Sequence, residues 1–270
     1  MVDKNSKFCI IFNSDIPSFE VSLSDLERSL NQYNISYIKN DILNFDISAC
    51  ENIDFVFVIG GDGTILRCAK LFAEKGVPIL GLNIGRLGFL SQLTKDDIIS
   101  AIEKILDNEF KIEKRLMLKS LNHIALNDIV IKGISGSRTG KFSLKINNKF
   151  VSEYIADGMI ISTPTGSTAY GLSAGGPVLY PMLDAVVLVP ICPHTLTARP
   201  LVIPASEKLT VVSSESNMSF NLNIDGDNCG IIEPCVHIEA SHLKAHLALL
   251  NDDFYSVLRQ KFNWGVAPHK

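Results

Sequence analysis

The sequence predicts an α/β N-terminal domain on a parallel sheet, then a mainly β C-terminal domain, and a last helix that packs back on the first domain. Three observations predict it. The apolar run Phe55-Val56-Phe57-Val58-Ile59 breaks into Gly60-Gly61-Asp62-Gly63-Thr64, and a helical stretch and a second apolar run at 77–81 follow. That alternation is the mark of a parallel sheet with helices on its faces. Past residue 110 the pattern changes to many short strands between polar turns, as in an antiparallel β domain. Finally, Phe254, Leu258 and Phe262 form one apolar face near the C-terminus, and a lone amphipathic helix must bury such a face. The expected boundaries are 1–110, 111–243 and 244–270.

In order, residues 8–12 read as a first buried strand, followed by a turn-rich loop at 13–17. Ser24 with Glu27 three residues on marks a helix start, and the helix runs to Tyr33. Residues 35–38 form a second strand, and 40–53 lack periodicity and read as irregular. Strand 55–59 is followed by a helix over 64–75, closed by Gly76 in a left-handed cap. The strand at 77–81 leads into Asn83-Ile84-Gly85-Arg86-Leu87-Gly88-Phe89-Leu90. Thr94 and Asp97 form a capping box for a helix to Asp107, with Ile98, Ile99, Ile102, Ile105 and Leu106 as its apolar stripe.

The β domain takes strands at 116–121, 129–132, 142–146, 150–154, 159–161, 186–189, 209–212, 220–224 and 235–238. Asn147-Asn148 supplies a hairpin turn between two of them. Asp252 and Asp253 suit the start of the last helix, and Arg259 and Lys261 its end.

Composition narrows the function. The 270 residues are 46% apolar and 20% charged, with a formal net charge of −4, an ordinary globular balance. It carries no electrostatic footprint for nucleic acid or an acidic membrane. The six cysteines contain no CxxC pair, and Cys229, Cys235 and His237 lack a fourth partner for zinc. They read as reduced structural cysteines. With no signal-peptide core and no apolar run of membrane length, a cytoplasmic protein is expected.

The glycine turn carries the first chemistry. Gly60, Gly61 and Gly63 let the backbone take positive φ and let its amides approach a ligand closely, with Thr64 opening a helix behind them. This is a phosphate cradle. A carboxylate inside it, Asp62, would be repelled by phosphate oxygens. A divalent cation between them removes the repulsion, and so does a hydroxyl proton that the carboxylate is about to accept. Either arrangement implies phosphoryl transfer, whereas the plainer reading is an Asp that fills a turn. Arg86 lies on the same rim, beyond the carboxyl ends of the strands, where it either neutralises phosphate or is simply solvated.

Two familiar nucleotide motifs do not fit. Ser135-Gly136-Ser137-Arg138-Thr139-Gly140-Lys141-Phe142 lacks the first glycine of a Walker A loop and has Phe142 in place of the magnesium-binding hydroxyl. The dinucleotide fingerprint fails at Leu66, and no acidic ribose ligand follows at the required distance.

A second polar stretch runs from Asp157 to Pro177. Ser162, Thr163, Thr165, Ser167, Thr168 and Tyr170 fall within nine residues. Such a segment can read a polyhydroxylated ligand and offer a ring for stacking, or it can cap its own helix.

Four segments together resemble the bacterial NAD kinase family in order and spacing. They are Gly60-Gly61-Asp62-Gly63-Thr64, Leu126-Asn127-Asp128, residues 157–177, and Ile191-Cys192-Pro193-His194-Thr195-Leu196-Thr197-Ala198-Arg199-Pro200-Leu201. The resemblance spans most of the chain. It implies a Rossmann-like N-terminal sheet and ATP-dependent phosphorylation of the 2′-hydroxyl of the NAD adenosine ribose, giving NADP.

By the same resemblance Asp62 activates that hydroxyl, or holds Mg2+ or another divalent metal through the phosphates. Gly60, Gly61, Gly63, Thr64 and Arg86 bind phosphate. Asn127 and Asp128 hold the ribose hydroxyls and adenosine, and Asp157, Thr165, Thr168, Ala169 and Tyr170 line the dinucleotide site. A homodimer or homotetramer is implied too. Many family members have Glu where this chain has Asp128, and Asp-Gly-Gln where it has Asp225-Gly226-Asp227, so that last trio stays outside the expected site.

Two alternatives remain at this stage. A lipid kinase of the diacylglycerol or sphingosine type shares the glycine turn, but should present a membrane-facing element that this sequence lacks. A non-catalytic dinucleotide-binding regulator would gain nothing from a carboxylate set against phosphates.

Overall fold

The computed structural model describes residues 2–3, 5–84, 88–94, 97–134, 139–213, 219–250 and 254–264. The chain divides into two compact units, residues 1–113 with 246–270, and residues 114–245.

The first unit holds β1 (Lys7–Phe12), α1 (Phe19–Gln32), β2 (Ser36–Asp41), β3 (Phe55–Ile59), α2 (Asp62–Phe72), β4 (Ile79–Leu82), β5 (Ser91–Leu93) and α3 (Ile98–Leu106). β2, β1, β3 and β4 lie side by side in that order, all parallel. Every residue of β3 is buried, as expected of a central parallel strand covered on both faces. Phe8, Phe55 and Phe57 pack with Leu26 and Leu30 of α1 and with Ile102 and Ile105 of α3 in one core.

Local expectations held unevenly here. Gly76 takes φ 61 and ends the turn after α2. Asp97 accepts both the amide and the hydroxyl of Thr94. α3 buries Ile98, Ile102 and Ile105, but Ile99 stays exposed because its position falls off the 3.6-residue stripe.

Three element boundaries need correction. α1 starts at Phe19, well before Ser24, because the Phe19 ring stacks on Phe12 at 5.1 Å and anchors the first turn. Residues 40–53 contain two short 3-10 turns, Ile42–Asn44 and Ile47–Ala49, whose Leu43 and Ser48 amides are capped by the Asp41 and Asp46 carboxylates. α2 starts at Asp62 and not at Thr64, and it ends at Phe72 and not at Lys75.

The second unit is antiparallel. Its elements are β6 (Lys111–Ser120), β7 (His123–Ala125), β8 (Asp128–Ile134), β9 (Gly140–Ile146), β10 (Lys149–Ala156), β11 (Gly158–Ser162), the short helix α4 (Tyr170–Ser173), β12 (Ala185–Ile191), β13 (Leu201–Pro204), β14 (Leu209–Ser213), β15 (Ser219–Ile224), β16 (Asp227–Ile232) and β17 (Cys235–Leu249). β6 and β17 each cross the division between the units.

One sheet runs β13-β12-β11-β8-β15-β16, and a second path runs β10-β9-β14-β17. Phe142 of β9 stacks on Phe220 of β15 at 5.5 Å, tying the two into one core. Asn147 and Asn148 take φ 48 and 66, the paired left-handed conformation of a two-residue hairpin. The short strands β7, β13 and β16 escape sequence patterning because β7 and β13 span only three and four residues and β16 opens on the polar Asp227-Asn228, so none shows a clear period. β17 is far longer than the expected 235–238.

α5 (Phe254–Phe262) is the last described element and belongs to the first unit. Phe262 lies 5.6 Å from the Phe89 ring, and Leu258 is buried. Asp252 and Asp253, expected at the start of this helix, lie outside the described residues. Among the described residues no helix is long and apolar enough to cross a membrane.

Candidate active site

The glycine turn sits where β3 passes into α2. Gly61 is the helix N-cap, and the amides of Thr64 and Ile65 return to its carbonyl at 3.0 and 3.2 Å. None of Gly60, Gly61 and Gly63 has a positive φ. The left-handed backbone that these glycines allow is therefore not used: Gly61 is extended and Gly63 lies in the first turn of the helix. A Cβ on Gly61 or Gly63 would meet nothing within 4 Å, so open space stands in front of the helix's positive end. The buried Thr64 side chain packs under Gly60.

Asp62 is held in a way that the sequence did not suggest. Its Oδ2 accepts the Phe89 amide at 2.8 Å, and its Oδ1 accepts the Leu90 and Ser91 amides at 3.1 and 3.2 Å and the Ser91 hydroxyl at 3.4 Å. A Cβ on Gly88 would stand 2.0 Å from Asp62 Oδ1, so glycine there is a condition of this contact. Beside the cation and the proton, the fold thus offers a third way to satisfy the carboxylate: backbone donors of the neighbouring loop. A carboxylate has about four acceptor positions, and Oδ2 carries a single donor among the described residues. Arg86, expected on the same rim, lies outside the described residues.

In the second unit the hydroxyl-rich segment folds against the Leu126–Asp128 loop. The Thr163 amide donates to the Asn127 carbonyl at 2.9 Å and its hydroxyl to the Leu126 carbonyl at 2.5 Å. The Thr163 hydroxyl also receives the Gly166 amide at 3.1 Å. A Cβ at Gly166 would stand 2.1 Å from the Asn127 oxygen, so the two backbones touch there. Thr165 is buried and receives a hydrogen bond from the guanidinium of the buried Arg115 at 3.2 Å. The Thr168 hydroxyl bonds the Thr165 carbonyl at 3.3 Å, which is self-capping of the ordinary kind.

The residue that organises this loop is one the sequence reading set aside. Asp225 accepts the amides of Leu126, Asn127 and Asp128 at 3.0, 2.7 and 3.1 Å. It sits at φ 50 with Gly226 at φ 87, the tip of the hairpin between β15 and β16. The available signal was the Asp-Gly pair itself, a strong hairpin marker.

Asn127, Asp128, Ala169 and Tyr170 converge on one pocket of about 390 Å³, together with Lys132 and Asp225. Asp128 is only 4% exposed. Burial, and then the neighbouring Asp225 charge, pushes its carboxyl up to about 7. Asp157 is not part of this wall. It lies between β10 and β11, with its amide on the Ile191 carbonyl at 2.9 Å. Thr165 and Thr168 form the turn that leads to Ala169 and Tyr170. Among the described residues no group of three ligating side chains could hold a metal ion.

Comparison with known proteins places this geometry in context. A family model described as the ATP-NAD kinase N-terminal domain matches residues 16–110, and one described as the ATP-NAD kinase C-terminal domain matches residues 126–249. The chain is 39% identical over 220 residues to an NAD kinase of Thermoanaerobacter sp. (strain X514), covering 77% of this chain and 78% of that one. It is 40% identical over 228 residues to an NAD kinase of Azotobacter vinelandii, covering 80% and 77%. Two crystal structures share the fold. A yeast NADH kinase complexed with NADH superposes with a TM-score of 0.84 at 21% identity, covering 99% of this chain and 90% of that one. An NAD kinase from Archaeoglobus fulgidus in complex with ATP gives 0.81 at 24% identity, covering 95% and 98%.

Proposed function

The chain belongs to the ATP-NAD kinase family, and from that premise we propose how its own residues transfer the γ-phosphoryl group of ATP to the 2′-hydroxyl of the NAD adenosine ribose, giving NADP. The lipid-kinase alternative is not favoured, since the family models match both halves of the chain. The observation that carries the assignment of roles is the pocket that gathers Asn127, Asp128, Ala169 and Tyr170 beside the Asp225 hairpin.

In this reading Asn127 and Asp128 hold the nucleoside hydroxyls and base, and Tyr170 offers its ring. Thr165 and Thr168 shape the turn that carries Ala169 and Tyr170. Asp157, away from that wall, stays in the dinucleotide site on the strength of the resemblance alone. The first turn of α2, with Gly60, Gly61, Gly63 and Thr64, receives phosphate at the helix's positive end. Arg86 would add charge there.

Asp62 Oδ2 keeps acceptor capacity for the ribose hydroxyl. A hydroxyl is a poor nucleophile, so the carboxylate orients it and takes its proton late, and positioning supplies much of the rate. A divalent cation fits this site as a companion of the ATP phosphates, with Asp62 the carboxylate beside it among the described residues, and there it would offset phosphate charge. A cytoplasmic homodimer or homotetramer is part of the proposal on the strength of the resemblance, and light scattering measures the oligomer.

The test is NADP formation from NAD with ATP and magnesium, in wild type and Asp62→Asn. The reading stands if the variant binds NAD normally but turns over about 10²–10⁴-fold more slowly. It falls if wild type binds NAD yet forms no NADP with any phosphoryl donor, which would return the regulator reading.

A further inference from the structure

We propose that Lys132 binds the phosphate groups of the dinucleotide in the pocket that also contains Asp128 and Tyr170. The proposal rests on the pocket reading above and adds a residue that no motif pointed to. Alternation along β8 puts Asp128, Val130 and Lys132 on one face, and all three line the pocket. Ile129 and Ile131 point the other way into the core. At about 3.3 Å per residue, Lys132 stands ~13 Å along the strand from Asp128. One wall therefore carries a carboxyl at one end and an ammonium at the other.

The charge balance of the pocket gives the lysine its role. Asp128 and Asp225 both line it, and the Asp225 carboxylate, joined by Asp128 wherever that group ionises, repels a ligand that carries a diphosphate. Lys132 is the cation among the described lining residues. It is exposed, and among the described residues it forms no ion pair. Its ammonium lies 5.8 Å from the centre of the Tyr170 ring. A cation–π contact at an exposed site is weak, and a phosphate oxygen is a stronger partner for an ammonium. When a nucleoside is held at Asn127 and Asp128, Lys132 can leave the ring and take its phosphates, and the Tyr170 face is freed at the same step.

The experiment measures NAD and adenosine binding by calorimetry, without ATP or metal, in wild type, Lys132→Gln and Lys132→Arg. Lys132→Gln is expected to weaken NAD about tenfold and to leave adenosine, which has no phosphate, unchanged. Lys132→Arg should restore NAD binding, and the salt dependence of NAD binding should flatten in the Gln variant. Equal losses for NAD and adenosine would mean that Lys132 only braces Tyr170, and an unchanged NAD affinity would give it no role at all. Either result overturns the proposal. Adenosine binding by wild type tests the pocket separately: if it is absent, the pocket reading fails and the lysine's role fails with it.

Discussion

The Asp225 carboxylate accepts the Asn127 amide at 2.7 Å, and the same carboxylate holds the amides of Leu126 and Asp128. A hairpin tip thereby fixes a loop 98 residues away. Asparagine at 225 would keep one acceptor and turn an NH2 group toward backbone donors. Hydrogen bonds to a charged group are worth about 1.5–3 kcal/mol. Asp225→Asn should cost about that much in urea denaturation and raise KM for NAD more than it lowers kcat. Unchanged stability would show that the loop holds itself.

Asp128 makes stability pH-dependent in an unusual direction. Its carboxyl is raised from 3.8 to about 7 by burial first and the Asp225 charge second. Between those values the folded chain keeps a proton that the unfolded chain has released, so its contribution is full below pH ~4 and is lost as pH rises through ~7. The loss amounts to at most about 4 kcal/mol at 1.36 kcal/mol per unit. Denaturation of wild type against Asp128→Asn should show wild type losing ground across that window and holding level above it. The comparison cancels Asp41, Asp97 and Glu239, which are shifted the other way. A difference that stays flat with pH would mean that Asp128 is ionised throughout.

Gly63 separates what the fold needs from what a ligand needs. A Cβ there meets nothing within 4 Å, and the residue is helical. Gly63→Ala should therefore stabilise the chain by roughly 0.5–1 kcal/mol. If phosphate approaches this turn, the same variant should raise KM for ATP. A more stable chain with unchanged ATP kinetics would remove Gly63 from the phosphate site.

Gly88 and Asp62 should fail together. Alanine at 88 would place its Cβ 2.0 Å from Asp62 Oδ1, which forces the carboxylate off the Phe89–Ser91 amides. Gly88→Ala should lower kcat toward the level of Asp62→Asn, and the double variant should be little worse than either single one. Fully additive losses would mean that the two residues act independently.

Much of the architecture was legible because its cause is local. The all-apolar run of β3, the Asn147-Asn148 hairpin and the Gly76 cap each follow from the residues at those positions. Where neighbours decided, local signals misled. Ser24 and Glu27 form a good capping pair, yet they lie inside α1 because Phe19 stacks on Phe12. The glycines at 60, 61 and 63 allow left-handed backbone, but the chain enters α2 directly.

The candidate site divides along the same line. The sequence by itself determined the two-domain class, the glycine turn with Asp62, and the motifs carrying Asn127, Asp128 and Tyr170, since these are set by residue type, period and spacing. Only the tertiary structure decided that the Phe89–Ser91 amides hold Asp62, that Arg115 meets Thr165, that Asp225 clamps the Asn127 loop, and that Lys132 shares a wall with Asp128. Each of those contacts but the last joins residues far apart in the chain, and the last depends on which strand face looks into the pocket. A hydrogen bond between distant residues leaves no period in the sequence. It exists because burying a core brings the two backbones together and leaves polar groups that must find partners.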